Sequence, residues 1–387
     1  MRRLAVLGVL AVLLAACSQH PVRSPAMLAC MNPLSARSAL QRRIEACTSL
    51  IRTAKGDDLG MVLRERAGAY RLTGNAAAAL QDLNQALALR PTDAEALDGR
   101  GLIYLDGGDL AKATADFNQA IRLQPGGQAG YNNRGAVERR QGDFAAALRD
   151  ENRAIELGPE SPNPWANRGL IFLARHRYGL ALADFADALR RDQTLVYAID
   201  GAGDAFLGRG DVAHAVAAYN DAATADFDAQ NYRAAIAESD KALAAKPNDP
   251  TSLNNRCWTR GVGNFELDLA MADCALSLKL RPGDANTLDS EAMVYFREGK
   301  IDDAIAGYDA ALAKDPKLAP SMFMRGVAKI RAGEVDDGHA DIDNATALDT
   351  SVAATFAGYG ISPKPPPGPP PAAGKGDHAL PSTNAAQ

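Results

Sequence analysis

The chain has 387 residues, enough for two or three compact domains or one long solenoid. Hydrophobic residues make up 47% but aromatics only 6%, a balance that packs helices through small alanine side chains rather than around a large aromatic core. The formal net charge of −5 lacks the basic footprint that nucleic-acid binding needs, so nucleic acid is not an expected partner.

In chain order, the N-terminus reads Met1-Arg2-Arg3 and then runs apolar from Leu4 to Ala16. A charged start followed by so short an apolar stretch reads as a signal peptide over 1–16, since a spanning helix needs roughly 20 apolar residues. The run ends Leu14-Ala15-Ala16-Cys17. Small residues before a cleavage point, followed at once by cysteine, resemble the lipobox of bacterial lipoproteins. The resemblance implies a diacylglycerol on the Cys17 sulfur. An ordinary signal peptide with a cysteine there by chance is the alternative; residue type, spacing and the charged start favour the lipobox. Acyl chains at ~0.8 kcal/mol per buried methylene supply an anchor. An acidic body that has lost Arg2 and Arg3 has no electrostatic reason to lie on anionic headgroups, so membrane attachment is expected through the lipid alone. In the lipoproteins this resembles, Asp after the cysteine retains the protein in the inner membrane. Ser18 stands there instead, which implies the periplasmic face of the outer membrane. Residues 17–32 then read as a lipidated tether and 33–59 as an N-terminal capping helix.

Internal repetition dominates the chain from residue 60 onward. Arg100-Gly101, Arg134-Gly135 and Arg168-Gly169 recur every 34 residues, each followed by a turn and an alanine-rich helix. This period and pattern resemble the tetratricopeptide repeat, which implies an all-α solenoid of antiparallel helix pairs. Units starting at 60, 94, 128, 162, 196, 216, 250, 285 and 319 cover residues 60–352, with one residue inserted in the seventh. Positions 20 and 27 of every unit carry a small side chain, from Ala79 and Ala86 to Gly338 and Ala345, where two helices must approach closely. Gly74, Gly108, Gly142, Gly210, Gly299 and Gly333 end first helices, and Pro91, Pro125, Pro159, Pro247, Pro282 and Pro316 follow second ones.

Charge repeats as well. Position 7 is Arg66, Arg100, Arg134, Arg168, Arg256 and Arg325; position 23 is Asp82, Asp116, Asp150, Asp184, Asp273 and Asp341. The same six units carry both. An arginine row for an acidic ligand is one reading. Salt bridges between the two helices of each pair are the favoured one, setting register at ~0–1 kcal/mol each.

The fifth and sixth units overlap, the sixth beginning only 20 residues after the fifth. The helix from Val212 to about Asp226 must then serve both, which divides the array into sub-solenoids over 60–223 and 216–352. Residues 353–361 read as a C-terminal cap. From 362 to 387 the chain is proline-rich and then small and polar, a composition that cannot bury a core.

Of five cysteines, Cys17 is assigned to lipid. Cys30 and Cys47, and Cys257 and Cys274, form two pairs with the same separation of 17 residues. Two disulfides suit an exported protein, while reduced core cysteines are the alternative. In the seventh unit Cys257 and Cys274 occupy positions 8 and 24, which face each other across a helix hairpin.

No catalytic constellation emerges. The five histidines are scattered, and there is no His-Glu-x-x-His helix, phosphate loop or Gly-x-Ser-x-Gly elbow. No metal or cofactor is expected, and the chain reads as a non-enzyme. The family resemblance implies a concave face lined by first helices. There Asn132, Asn133, Asn167, Asn254 and Asn255 offer amides able to pair with an extended peptide backbone, beside apolar positions such as Trp258, Met293, Phe296 and Val327. Caps for the amides and core packing for the apolar residues weigh evenly against that. The lysines of the family's carboxylate clamp are missing. Two functions remain: a lipid-anchored adaptor that brings periplasmic or membrane proteins together through extended segments, or an accessory subunit of an outer-membrane assembly or secretion machine.

Overall fold

A computed structural model describes residues 25–31 and 37–363. Cys17, the signal peptide and most of the proline-rich tail lie outside the described residues. Everything regular among the described residues is helical. Two compact units divide at Arg209 and Gly210.

The first unit opens with α1 (Pro25–Cys30) and α2 (Arg37–Ile51). First helices of repeats are α3 (Gly56–Leu72), α5 (Ala94–Asp106), α7 (Gln128–Gln141), α9 (Pro162–Ala174) and α11 (Val196–Gly208). Their partners are α4 (Ala76–Leu89), α6 (Leu110–Leu123), α8 (Phe144–Leu157) and α10 (Tyr178–Arg191). Each of α3, α5, α7 and α9 packs most closely on its own partner, then on the helix before it, then on the next first helix, while α11 packs on α10 and then on α9. The starts are fixed locally: Asn75, Asp93, Asp109 and Asp143 each accept the backbone N–H three residues on, the capping that Asn and Asp favour.

Close approach within a pair comes from position 8 meeting position 24. A Cβ added to Gly101 would lie 2.5 Å from the Phe117 ring, and one added to Gly169 would lie 2.7 Å from Phe185. Both rings are fully buried, which contributes ~1.5–3 kcal/mol each. The glycine is the cavity and the aromatic is its filling. At the third repeat the same place holds Gly135 and Glu151.

α1 falls inside the stretch read as a tether. Its Cys30 is buried and disulfide-bonded to Cys47 of α2, with Cα atoms 4.9 Å apart, so the polar stretch ends in an ordered turn of helix. The physical reason is that Met27 and Cys30 find apolar cover against Cys47, Leu50 and Val62.

The second unit holds α12 (Val212–Asp228), α13 (Tyr232–Ala245), α14 (Pro250–Gly263), α15 (Leu267–Leu280), α16 (Ala285–Arg297), α17 (Ile301–Lys314), α18 (Ala319–Ala332), α19 (Val335–Leu348) and α20 (Val352–Gly358). Here α12 packs on α13 as a first helix on its partner and on α14 as one first helix on the next. At 17 residues it is longer than the 14 of α13 and α14. The extra residue of the seventh repeat is absorbed in the α14–α15 turn, where Asn264 and Glu266 both have left-handed backbone at φ 57° and 53°. Cys257 and Cys274 are disulfide-bonded across that hairpin, Cα atoms 5.6 Å apart. They fill the place that glycine and phenylalanine fill in α5–α6 and α9–α10.

The chain then turns back on itself. Phe356 of α20 stacks on Phe323 of α18 at 5.2 Å, Tyr359 meets Phe227 of α12 at 5.8 Å, and Ile361 is buried. The Tyr359 carbonyl accepts a 3.0 Å hydrogen bond from Arg297 of α16.

Candidate functional site

The six arginines at position 7 are structural. Each gives a two-pronged pair to the aspartate of its own hairpin: Arg66 to Asp82, Arg100 to Asp116, Arg134 to Asp150, Arg168 to Asp184, Arg256 to Asp273 and Arg325 to Asp341, at 2.6–2.8 Å. Their remaining nitrogen reaches back to the preceding hairpin, onto Thr48, Asn84, Asn118, Asn152, Asp240 and Asp309. One guanidinium thus ties three helices, which suits a rigid planar fork. This third partner, at position 25, was not singled out from the sequence. Its signal was there, since the position is Asn or Asp in five of these hairpins.

In the first unit the predicted amides meet each other. Asn167 donates to the Asn132 side chain at 2.8 Å, and Asn132 donates to Asn133 at 3.3 Å. Beneath them lies Glu151, fully buried, with neither carboxyl oxygen hydrogen-bonded. Burial, then the neighbouring Asp150, pushes its carboxyl well above the usual range; the nearby Asn167 amide and Arg139 offset this only in part. Burial likewise raises Asp98 to about 7 against the Asn133 amide. Burial and Asp150 raise Glu138 to about 7. These amides and acids form an internal polar seam between α5, α7, α8 and α9.

In the second unit the predicted residues line an open groove of about 380 Å³. Asp249 caps α14 through the Ser252 N–H, with Pro250 at the first turn, and this start sets the helix phase. Thr251, Asn254, Asn255 and Trp258 then share one face at helical spacing. Asp284 caps α16 through the Thr287 N–H, and Asn286, Asp289 and Ser290 share the facing stripe. Arg281, Leu318 and Pro320 complete the wall.

Hydrogen bonding polarises the two amides in opposite senses. The Asn254 oxygen accepts from Ser290 at 2.8 Å, so its N–H₂ group is the part left for the groove. The Asn255 nitrogen donates to Asn220 at 3.4 Å, which leaves its oxygen. A donor and an acceptor on neighbouring residues match one peptide unit of an extended chain. Trp258 is half-buried, its ring 6.3 Å from Phe227. Asp289 is only 7% exposed, and burial raises its carboxyl to about 7 although Ser321 donates to it.

The apolar positions other than Trp258 do not join this groove. Met293, Phe296 and Val327 are buried in one cluster with Phe323, Phe356 and Ile361, which decides for core packing over exposure on a concave face. The chain's own C-terminal turn supplies part of their cover. Among the described residues no group of His, Cys, Asp and Glu is arranged to hold a metal ion, and no helix is long and apolar enough to cross a membrane.

Comparison with known proteins agrees with the repeat geometry. The tetratricopeptide-repeat family model matches residues 64–128, 99–162, 132–196 and 290–348. Among solved structures, a tetratricopeptide repeat protein from Parabacteroides merdae is 18% identical at TM-score 0.35, covering 66% of this chain and 93% of that one. The Thermus thermophilus protein TTC0263 is 19% identical at TM-score 0.39, covering 57% of this chain and 99% of its own. YrrB, described as a tetratricopeptide protein with an unusual peptide-binding site, is 21% identical at TM-score 0.34, covering 54% of this chain and 97% of its own. No curated protein matches the chain.

Proposed function

For a chain that carries tetratricopeptide repeats, we propose a non-catalytic scaffold, lipid-anchored through Cys17 on the periplasmic face of the outer membrane, that holds an extended segment of a partner protein. Tetratricopeptide repeats mediate protein–protein interaction, and a regular stack presents matched rows of groups to an extended partner. The observation that carries the reading is the groove of the second unit. Asn254 has a spare donor and Asn255 a spare acceptor, beside a half-buried Trp258. The anchor and compartment rest on the Leu14-Ala15-Ala16-Cys17 sequence and on four cysteines placed as two disulfides. Export to an oxidising compartment keeps such bonds.

Photo-crosslinking in cells tests this. A photoreactive residue replaces Thr251, which lines the groove, or Leu269, which is exposed outside it. The reading expects adducts with periplasmic proteins from the first site and far fewer from the second, in the membrane fraction. Adducts confined to integral outer-membrane proteins favour the alternative, a fixed subunit of an assembly machine. Equal labelling at both sites, or wild-type protein soluble in cytoplasm, overturns the proposal.

A further inference from the structure

Most buried aspartates among the described residues have cationic partners. Six of them are clamped by the position-7 arginines, Asp93 by Arg64 at 2.9 Å and Asp249 by Lys246 at 2.9 Å. Asp289 lines the groove of the second unit and is buried to the same degree, yet its bond is from the neutral hydroxyl of Ser321. No cationic side chain acts on it. Of the elements around it, α14 presents the neutral Asn254, Asn255 and Trp258, α17 the phenol of Tyr308, and α18 Ser321. Arg281, on the groove wall, is paired with Asp284 at 3.4 Å and hydrogen-bonds Thr251 at 3.4 Å.

A carboxyl removed from water without a counter-charge is costly, and a natural chain relieves the cost by protonation or by a partner. Here the carboxyl borders an opening large enough for a side chain, with an indole on the same wall. Indole faces attract cations. We propose that the groove takes a basic residue, lysine or arginine, of an extended partner segment, its cation meeting Asp289 and its stem lying along Trp258. The proposal rests on the scaffold reading above and adds the identity of the residue held. The amides of Asn254 and Asn255 then pair with the backbone beside it.

The raised carboxyl gives the site a pH signature. In the free protein Asp289 sits at about 7 because of burial, offset only by Ser321. A bound cation favours its ionised form, so binding releases a proton. Affinity for a basic segment therefore rises as pH increases through about 7 and falls below it.

Acetylated, amidated Ala-Ala-X-Ala-Ala peptides provide the probe, with X lysine, norleucine or glutamate. Fluorescence is read on the full chain carrying Trp165→Phe, so that Trp258, the other of two tryptophans, reports alone. The lysine peptide is expected to bind at least about tenfold tighter than its neutral isostere norleucine at about pH 8, since a charged hydrogen bond is worth ~1.5–3 kcal/mol. The preference shrinks at about pH 6. Asp289→Asn, which keeps an acceptor for Ser321, abolishes it. The lysine–norleucine comparison needs no change at Asp289 and decides the matter even where Asp289→Asn fails to fold. Norleucine binding as tightly as lysine, with Trp258 responding to both, overturns the cation site and leaves the scaffold reading in place. A silent Trp258 with every peptide at millimolar concentration overturns both.

Discussion

Glu151 shows how far one residue departs from its neighbours. In the repeats on either side the same place holds Phe117 and Phe185, and the opposing Gly101 and Gly169 leave room for a ring. Gly135 leaves that room too, but a carboxyl fills it. Its raised pKa makes a sign prediction. The folded protein keeps a proton that the unfolded chain gives up near the ordinary glutamate value, so this stabilisation is complete below about 4.5 and is lost as pH rises through the folded value. Asp98, Glu138 and Asp289, each raised to about 7 by burial, act in the same direction. Asp341 is opposite: burial raises it, but hydrogen bonds from Arg325 and Lys329 hold it below the usual range, and that contribution is lost only in strong acid. The melting temperature of the wild type should therefore fall between about pH 5 and pH 8. Glu151→Gln should flatten the fall, being more stable than wild type by on the order of 2 kcal/mol at about pH 8. Thermal melts across that range check it; parallel curves for the two proteins would mean that Glu151 is paired and charged. The Arg–Asp register was legible from sequence because both partners recur together in six units. Glu151 was not, because its meaning lies in the aromatic it replaces, which only the packing of position 8 on position 24 makes plain.

At the scale of elements, the hairpin α14–α15 replaces that glycine–aromatic joint with the Cys257–Cys274 disulfide, and both cysteines are fully buried. A loop of this length closed by a disulfide contributes ~3 kcal/mol in the chain-entropy model. Cys257→Ala with Cys274→Ala should lower stability by about that amount and lower the melting temperature, with no further drop on adding reductant beyond that due to Cys30–Cys47. Calorimetry of the double variant with and without reductant measures it; an unchanged melting temperature would show that the side-chain packing, not the bond, holds the joint. Helix boundaries from residue 94 onward were readable from turn glycines and following prolines, within a residue or two, whereas the capping helix read over 33–59 ends at Ile51 and α3 already starts at Gly56. The short helix ending at Cys30 and the burial of Met293, Phe296 and Val327 were not readable, because they depend on contacts with α2 and with the returning C-terminal turn, which no local pattern announces.

At the scale of the molecule, the two units use the same residue types to different ends. In the first, Asn132, Asn133 and Asn167 bond to one another over buried acids. In the second, Asn254 and Asn255 are braced by Ser290 and Asn220 and keep one polar group each toward an open groove. Periodicity placed all five at positions 5 and 6 of their repeats, but which amides are spent internally depends on what lies beneath each, Glu151 in one case and an opening in the other. The groove as the place where a partner is held is the central claim. Its most direct measurement is binding and melting together, on the partner captured by crosslinking at Thr251, for Asn254→Ala with Asn255→Ala and for Asn133→Ala with Asn167→Ala. With Asn254 removed, the single hydroxyl hydrogen of Ser290 turns to the Asn286 carbonyl 2.9 Å away, so the first pair should leave the melting temperature within about 2 °C while weakening the partner about tenfold or more. The second pair should lower the melting temperature and leave intrinsic affinity unchanged. Unchanged affinity in the groove pair, or a loss that merely follows its melting temperature, would contradict the account.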